Sequence, residues 1–153
     1  MRNAFLPLLF AVACATSSMT PRANTRDDIV EYVNRAANVV ATNGPSCNMF
    51  KSPQWFANDW YVFVLESDGK TVCHPARPEM VGMTATSIVD PNGKPIGREF
   101  LRVARERAAG GWVDYVWPRP GQTTPVAKSS FVKQVTAPDG KTYIVGSGGY
   151  ELR

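Results

Sequence analysis

The stretch GKTVCHPARPEMVG, residues 69–82, contains the only histidine of this 153-residue chain. His74 lies between Cys73 and a proline, and Arg77 follows three residues later. Three kinds of chemistry use these residue types. A Cys-His pair can act as a nucleophile with its base, His and Cys can bind a metal ion, and His with Arg can bind a carboxylate. The structural alternative is a turn residue at a strand end.

The residues around His74 give little support for catalysis or for metal binding. Neighbouring residues of a strand point to opposite faces, so the imidazole of His74 cannot easily reach the thiol of Cys73. Outside the first 23 residues, one His, two Cys and no dense group of Asp and Glu fall short of the four ligands of a structural zinc site and of their spacing. We therefore expect no catalytic residue, no metal, no cofactor and no enzymatic activity.

The first 23 residues have the pattern of an export signal. Arg2 gives a positive start, and residues 4–15 form an uncharged apolar run that is too short to span a bilayer. We predict a signal peptide over residues 1–23, with cleavage near residue 15 or 23, and a periplasmic or secreted location. A lipid-anchored form remains an alternative, because the residues before Cys14 resemble a bacterial lipobox.

Export also bears on whether the remaining cysteines form a disulfide. Without Cys14, the chain keeps Cys47 and Cys73, and a pair of cysteines in an exported protein predicts a disulfide. This bridge would contribute roughly 3 kcal/mol of stability. Two free thiols are the alternative. The net charge of +4 comes from scattered Lys and Arg residues, so we expect no binding to nucleic acid.

Periodicity predicts the elements that position these residues. Thr25 and Asp28 form a capping-box pattern, which predicts a helix of about 17 residues that ends at Asn43-Gly44-Pro45. Further predictions are a hairpin (60–66 with 71–74), a helix (98–109) and three antiparallel strands (111–117, 126–135, 141–150). We expect one α+β domain over residues 24–153. It has an antiparallel sheet of about five strands, with the long N-terminal helix and the short connecting helix on one side.

Several motifs occur together in a familiar order. They are WYVFVLESDGKTVCHPARPEMVG, DPNGKPIGREFLRVA, GGWVDYVWPRPG, KSSFVKQV and YIVGSGGY. In this order they resemble the single Cache domain, type 2, of bacterial extracytoplasmic sensors, over residues 25–150. The resemblance implies a PAS-like sheet whose pocket binds small molecules, often carboxylates. Family members usually sit on chemoreceptors or histidine kinases between transmembrane helices. We find neither a transmembrane helix nor a signalling domain, and expect a free-standing exported protein.

The resemblance and the residue types together predict a binding site. His74 belongs to the HP motif of the family, and Lys128 to its KSSF segment. Alternation along the strand places Tyr115 and Trp117 on one face, where they would form a pocket wall. The predicted ligand-binding residues are His74, Arg77, Tyr115, Trp117 and Lys128, a cationic and aromatic set suited to a carboxylate. The alternatives are core packing for the two aromatics and solvent exposure for Arg77 and Lys128.

The predicted function is the binding and sensing of a small organic ligand without a signalling output of its own. Asp90 would brace the loop over the pocket by accepting backbone hydrogen bonds. A membrane receptor or kinase is the expected downstream partner, and the protein would be a monomer or homodimer. The alternative function is that of an envelope protein whose pocket is filled and which docks onto a membrane sensor. A large apolar residue in place of Lys128 would favour this alternative.

Overall fold

Two α-helices and seven strands, with three short 3₁₀ helices in the connections, lie within residues 25–152, the part of the chain that this computed structural model describes. The helices are α1 (Arg26–Asn43) and α2 (Ile96–Glu106). The strands are β1 (Phe56–Ala57), β2 (Trp60–Tyr61), β3 (Phe63–Glu66), β4 (Thr71–Cys73), β5 (Gly111–Pro118), β6 (Pro125–Thr136) and β7 (Thr142–Tyr150). The predicted signal peptide and Cys14 lie outside the described residues. Within residues 25–152, no helix combines the length and hydrophobicity needed to cross a membrane.

Helix α1 begins and ends where the sequence predicts. The Asp28 amide donates to Thr25 Oγ1 at 3.2 Å, and the Thr25 amide donates to the Asp28 carboxylate at 3.1 Å, which completes the capping box. The helix ends before Gly44, whose φ of +80° favours glycine. Its buried face contains the predicted apolar residues at spacings of three and four, and also Tyr32.

The main sheet has the predicted five antiparallel strands, in the order β4-β3-β7-β6-β5. The predicted strand 60–66, however, is divided at Val62. Its first part, β2, pairs with β1 in a separate two-stranded hairpin, and only β3 joins the main sheet. The turn of that hairpin contains Asn58 at a φ of +55° and Asp59. The division brings Asp59 and Tyr61 to the end of the main sheet.

The prediction that both helices lie on one side of the sheet is wrong. Along the chain from β2 into β3, Val62 and Val64 pack in the cluster that contains α1, whereas Tyr61, Phe63 and Leu65 pack in the cluster that contains α2. Both sets are buried. Because alternate residues of a strand point to opposite faces, a strand buried at every position needs cover on both faces.

The predicted disulfide between Cys47 and Cys73 is present, with the two Cα atoms 5.0 Å apart. Cys73 is the last residue of β4, and Cys47 lies in the segment that follows α1. The bridge therefore fixes the end of β4 to the cover of the α1 face. His74 is the next residue along the chain, so the cystine also fixes the backbone from which the imidazole projects.

Candidate ligand-binding site

A small cavity lies on the α2 face of the sheet, between the strands and the connection from His74 to α2. Its volume is about 20 Å³, which is room for roughly one water molecule. The lining residues are Tyr61, Leu65, Thr71, His74, Met80, Ile88, Ile96, Phe100, Tyr115 and Trp117. Most of this lining is apolar or aromatic, so its few polar groups determine what it can bind.

His74 is buried in this lining, with 6% of its surface exposed. Its ring centroid lies 5.0 Å from that of Tyr61 and 6.2 Å from that of Phe63. Burial lowers the pKa of His74 to about 3, with further lowering by the charges of Lys128 and Arg77. The imidazole is therefore neutral at pH 7. Its Nδ1 has no hydrogen-bond partner among residues 25–152.

Thr71 supplies the second polar atom of the cavity. Its side chain is buried, and Oγ1 has no hydrogen-bond partner within the described chain. A β-bulge brings this residue to the cavity. Leu65 pairs with Thr71 while Val64 pairs with Cys73, so β4 contains one extra residue and its alternation is interrupted. Each buried polar atom without a partner costs about 1–3 kcal/mol, and Thr71 and His74 line the same cavity.

Lys128 is buried on β6, with 2% of its surface exposed. Its Nζ donates to the hydroxyl oxygens of Tyr61 at 2.6 Å and of Tyr150 at 3.3 Å, and lies 4.1 Å and 4.6 Å from the centroids of these rings. Within residues 25–152, no carboxylate lies within 4.0 Å of Nζ. Burial lowers the pKa of Lys128 well below its usual value. Lys128 does not itself line the cavity, but its acceptor Tyr61 does.

Tyr115 and Trp117 share the face predicted from alternation, and both line the cavity. Their ring centroids are 6.1 Å apart, and the ring of Phe100 on α2 meets Tyr115 at 5.6 Å. The hydroxyls of Tyr115 and Ser130 are hydrogen-bonded at 2.8 Å. Tyr115 is thus held by core packing and by β6, and Trp117 extends the wall toward the surface.

Arg77 stands at the rim rather than inside. Its guanidinium carbon lies 5.1 Å from the centroid of a Trp117 ring, and its nearest carboxylate oxygen, on Glu79, is 4.0 Å away. About a third of the side chain is exposed. The predicted set is therefore brought to one place in three layers: Arg77 outside, His74, Tyr115 and Trp117 in the wall, and Lys128 behind it.

Asp90 fastens the connection over the cavity. Its Oδ1 accepts the amides of Asn92 at 2.9 Å and Lys94 at 2.8 Å, and its Oδ2 accepts the amide of Val116 at 3.1 Å. Burial acts to raise the pKa of Asp90, but these three bonds outweigh it, and the pKa is lowered. The predicted brace is present, and it reaches across to β5.

Tyr61, Thr71 and Tyr150 also take part in the candidate site, and none of them is among the predicted residues. The register of β6 and β7 could have identified Tyr150, because Thr136 pairs with Thr142 across their turn and Lys128 therefore pairs with Tyr150. No pattern indicated Thr71. Within residues 25–152, no group of three or more His, Cys, Asp or Glu is placed to hold a metal ion.

A family profile for the Cache domain matches residues 46–151. Because this match spans more than half of the chain, the protein belongs to the Cache domain family, and the resemblance seen in the motifs is confirmed. The family contains sensory ligand-binding domains, among them those of chemoreceptors and histidine kinases.

Three known proteins show how far the similarity extends. The methyl-accepting chemotaxis protein McpP of Pseudomonas putida is 37% identical over 95 residues, which are 62% of this chain and 17% of that protein. The chain thus spans less than a fifth of that curated relative. A Cache chemosensory domain, solved as a structural basis for carboxylic acid recognition, has 30% identity and a TM-score of 0.59, covering 69% of this chain and 68% of its own. The periplasmic sensor domain of a chemotaxis protein has 34% identity and a TM-score of 0.57, covering 80% and 85%.

Proposed function

We propose that this Cache domain binds a small carboxylate in the cavity between the sheet and the connection from His74 to α2. The observation that supports this proposal is that Thr71 and His74 both line this cavity, and that within residues 25–152 Thr71 Oγ1 and His74 Nδ1 are buried without a hydrogen-bond partner. Native proteins rarely leave such atoms without partners, and a ligand or water supplies them. The nearby Lys128, buried without a carboxylate within 4.0 Å among the described residues, favours an anion over a neutral ligand.

The donors suit a single carboxylate group. The hydroxyl of Thr71 and the N–H of His74, in the tautomer protonated on Nδ1, would donate to its oxygens. Tyr61 accepts a hydrogen bond from Lys128 and lines the cavity, so the charge of Lys128 would act on the ligand across the Tyr61 side chain. The apolar side chains of Ile88, Ile96 and Phe100 would surround the hydrocarbon part. The ligand that we expect is a short monocarboxylate, because the cavity is small. The connection from His74 to α2 must shift to admit it.

The comparisons support the same ligand class. The solved Cache domain described for carboxylic acid recognition is 30% identical to this chain. The related periplasmic sensor domain and the disulfide support an extracytoplasmic location for this protein too. We propose that binding occurs without conversion of the ligand and that a chemoreceptor or kinase pathway uses the bound state.

Calorimetric titration of the full chain, with its cystine formed, tests this function. The probes are acetate, propionate and butyrate, with propionamide as the uncharged control. We expect saturable binding of at least one carboxylate and none of the amide. Thr71→Val should weaken that binding about tenfold while stabilising the ligand-free protein by about 1 kcal/mol, because it removes an unpaired hydroxyl. Thr136→Val, at an exposed position of β6, is the matched control and should change neither.

Opposite results would reject the carboxylate site. Equal binding of propionamide and propionate would show that charge is not recognised. Unchanged affinity in Thr71→Val would remove this hydroxyl from the site. The absence of heat with every probe, in protein shown to be folded by circular dichroism, would overturn the proposal as a whole.

Docking onto a membrane sensor is the second candidate, and one observation favours it. Val81, Met83 and Val89 are exposed apolar side chains on the connection that covers the cavity. Exposed large apolar side chains on one connection offer a surface that a partner could cover. If no carboxylate binds, a Val81→Ser/Met83→Ser/Val89→Ser triple variant should abolish binding to a purified chemoreceptor sensor domain in biolayer interferometry. Equal binding by parent and variant would reject this second function.

A further inference from the structure

A cluster of charges closes the end of the sheet beside the buried lysine. Arg119, which follows β5, pairs with Asp59 in the β1–β2 turn and with Glu151, just after β7, at 2.6 Å. The Arg119 side chain is 23% exposed, so the pairs are partly shielded from solvent. One arginine therefore joins the ends of three separate segments.

The ring of Tyr150 lies close both to this cluster and to Lys128. The guanidinium carbon of Arg119 lies 4.8 Å from the ring centroid of Tyr150, and Nζ of Lys128 lies 4.6 Å from that centroid. The Tyr150 hydroxyl accepts from Lys128 and donates to the Pro118 carbonyl at 2.9 Å. The two cations thus lie near the same ring. A carboxylate that is paired with one of them can therefore act electrostatically on the other.

Asp59 is the carboxylate whose charge acts on Lys128. Burial lowers the pKa of Lys128, the negative charge of Asp59 raises it, and the positive charge of Arg77 lowers it further. The rings of Tyr61, Tyr115 and Tyr150 face the ammonium, and His74, whose pKa the charge of Lys128 lowers, is a further titratable group near it. The Asp59 carboxylate nevertheless lies more than 4.0 Å from the Lys128 ammonium and is paired with Arg119.

We infer that Arg119 is a positioning residue that makes the site selective for anions, because it holds the Asp59 carboxylate away from the Lys128 ammonium. This inference rests on the proposed function. Without Arg119, Lys128 is the cation already within the electrostatic reach of Asp59. An Asp59–Lys128 pair would neutralise the buried charge, and a carboxylate ligand would then lose its attraction.

Propionate titration of four full-length proteins tests the inference: the parent, Arg119→Ala, Asp59→Asn and the double variant. Arg119→Ala should weaken propionate binding about tenfold, the effect expected from losing one charge-assisted interaction. The double variant should return to within about threefold of the parent, because the competing carboxylate is gone. Asp59→Asn alone should bind propionate at least as tightly as the parent.

The double variant separates positioning from structure. If Arg119 only clamps three segments together, removing Asp59 as well leaves the clamp broken, and the double variant binds as weakly as Arg119→Ala. That result would overturn the inference. Arg102→Ala is the matched control, because Arg102 also pairs with two carboxylates, Glu99 and Glu106, on the exposed side of α2. Its propionate affinity should equal that of the parent.

A ligand-free measurement keeps the inference separate from the proposed function. The ¹³Cε signal of Lys128, identified by its loss in Lys128→Met, reports the titration of Nζ. In Arg119→Ala, Lys128 should remain charged to a higher pH than in the parent, and the double variant should reverse this change. An unchanged titration would reject the inference even if propionate binds. If the parent binds no carboxylate, the proposed function fails while this titration still decides the role of Arg119.

Discussion

The two faces of the sheet differ in what they bury. The α1 face is an apolar core of α1 and alternate strand residues, closed by the Cys47–Cys73 bridge. The α2 face buries Thr71, His74 and Lys128 among its apolar residues, and it contains the cavity. Buried polar groups without full partners lower stability, whereas close apolar packing raises it. The α1 face therefore stabilises the fold, whereas the α2 face is less stabilising at the cavity where we propose that the ligand binds.

The largest effect should come from a cavity made on the α1 face. Phe50 is fully buried, and its ring meets Trp55 at 5.5 Å. Phe50→Ala should reduce the free energy of unfolding by about 4 kcal/mol, measured by urea denaturation. Propionate affinity of the remaining native protein should not change. A weaker affinity would show that the faces are coupled. Val81→Ala, at an exposed position, is the control and should change stability by less than about 0.5 kcal/mol.

His74 should make the α2 face sensitive to acid. Its native pKa of about 3 lies below the ordinary 6.5, so the unfolded chain binds a proton that the native protein refuses. The contribution of neutral His74 is complete above pH 6.5 and is lost as the pH falls toward 3. Between pH 7 and pH 4, this linkage should remove roughly 3 kcal/mol of stability.

Urea denaturation at several pH values, in the parent and in His74→Phe, measures this loss. Phe keeps a flat ring beside Tyr61 and Phe63 but cannot take up a proton. The stability of His74→Phe should therefore fall less steeply below pH 6.5. Parallel curves of stability against pH for the two proteins would show that His74 does not cause the loss of stability in acid. The acid sensitivity would then no longer distinguish the α2 face from the α1 face.

Much of the scaffold was predictable because local signals agreed with the tertiary structure. The capping box at Thr25, the alternation that puts Tyr115 and Trp117 on one face, and the cysteine pair each predicted what the structure contains. The first two signals depend only on residues that are close in the sequence. The third depends only on a pair of cysteines in an exported protein. The family match over residues 46–151 confirms the same fold from the whole motif series.

The details of the site were less predictable because they depend on long-range geometry. Strict alternation places Thr71 on the same face as Cys73, and only the bulge in β4 turns it to the cavity. A lysine on a strand is ordinarily solvated, and the burial of Lys128 follows from the packing of Tyr61, Tyr115 and Tyr150 around Nζ. None of these contacts is local in the sequence.

Loosening the cover of the cavity should have an intermediate effect. Asp90→Ala leaves the amides of Asn92, Lys94 and Val116 without their acceptor. We expect a loss of about 2 kcal/mol of stability and faster hydrogen exchange at these amides than elsewhere on the sheet. Asp68→Ala is the matched control, since Asp68 accepts one amide, that of Lys70, in an exposed turn. Equal losses in both variants would mean that the cover is no more than an ordinary turn.

The smallest effect should be a gain in stability rather than a loss. Lys128→Met replaces a buried ammonium with an apolar chain of similar length, so stability should rise by about 1 kcal/mol while propionate binding is lost. Lys133→Met, on the same strand but half-buried and bonded to Asn34 at 2.8 Å, should show no gain. The native pKa of Lys128 is lowered below 10.5, so the destabilisation that it causes is complete below its native pKa and fades as the pH rises toward 10.5. In urea denaturation, the gain in stability of Lys128→Met should be complete below the native pKa of Lys128 and should fade as the pH rises toward 10.5. A loss of stability would instead show that the tyrosine hydroxyls and rings fully offset the burial of the charge, and the α2 face would then be as well satisfied as the α1 face.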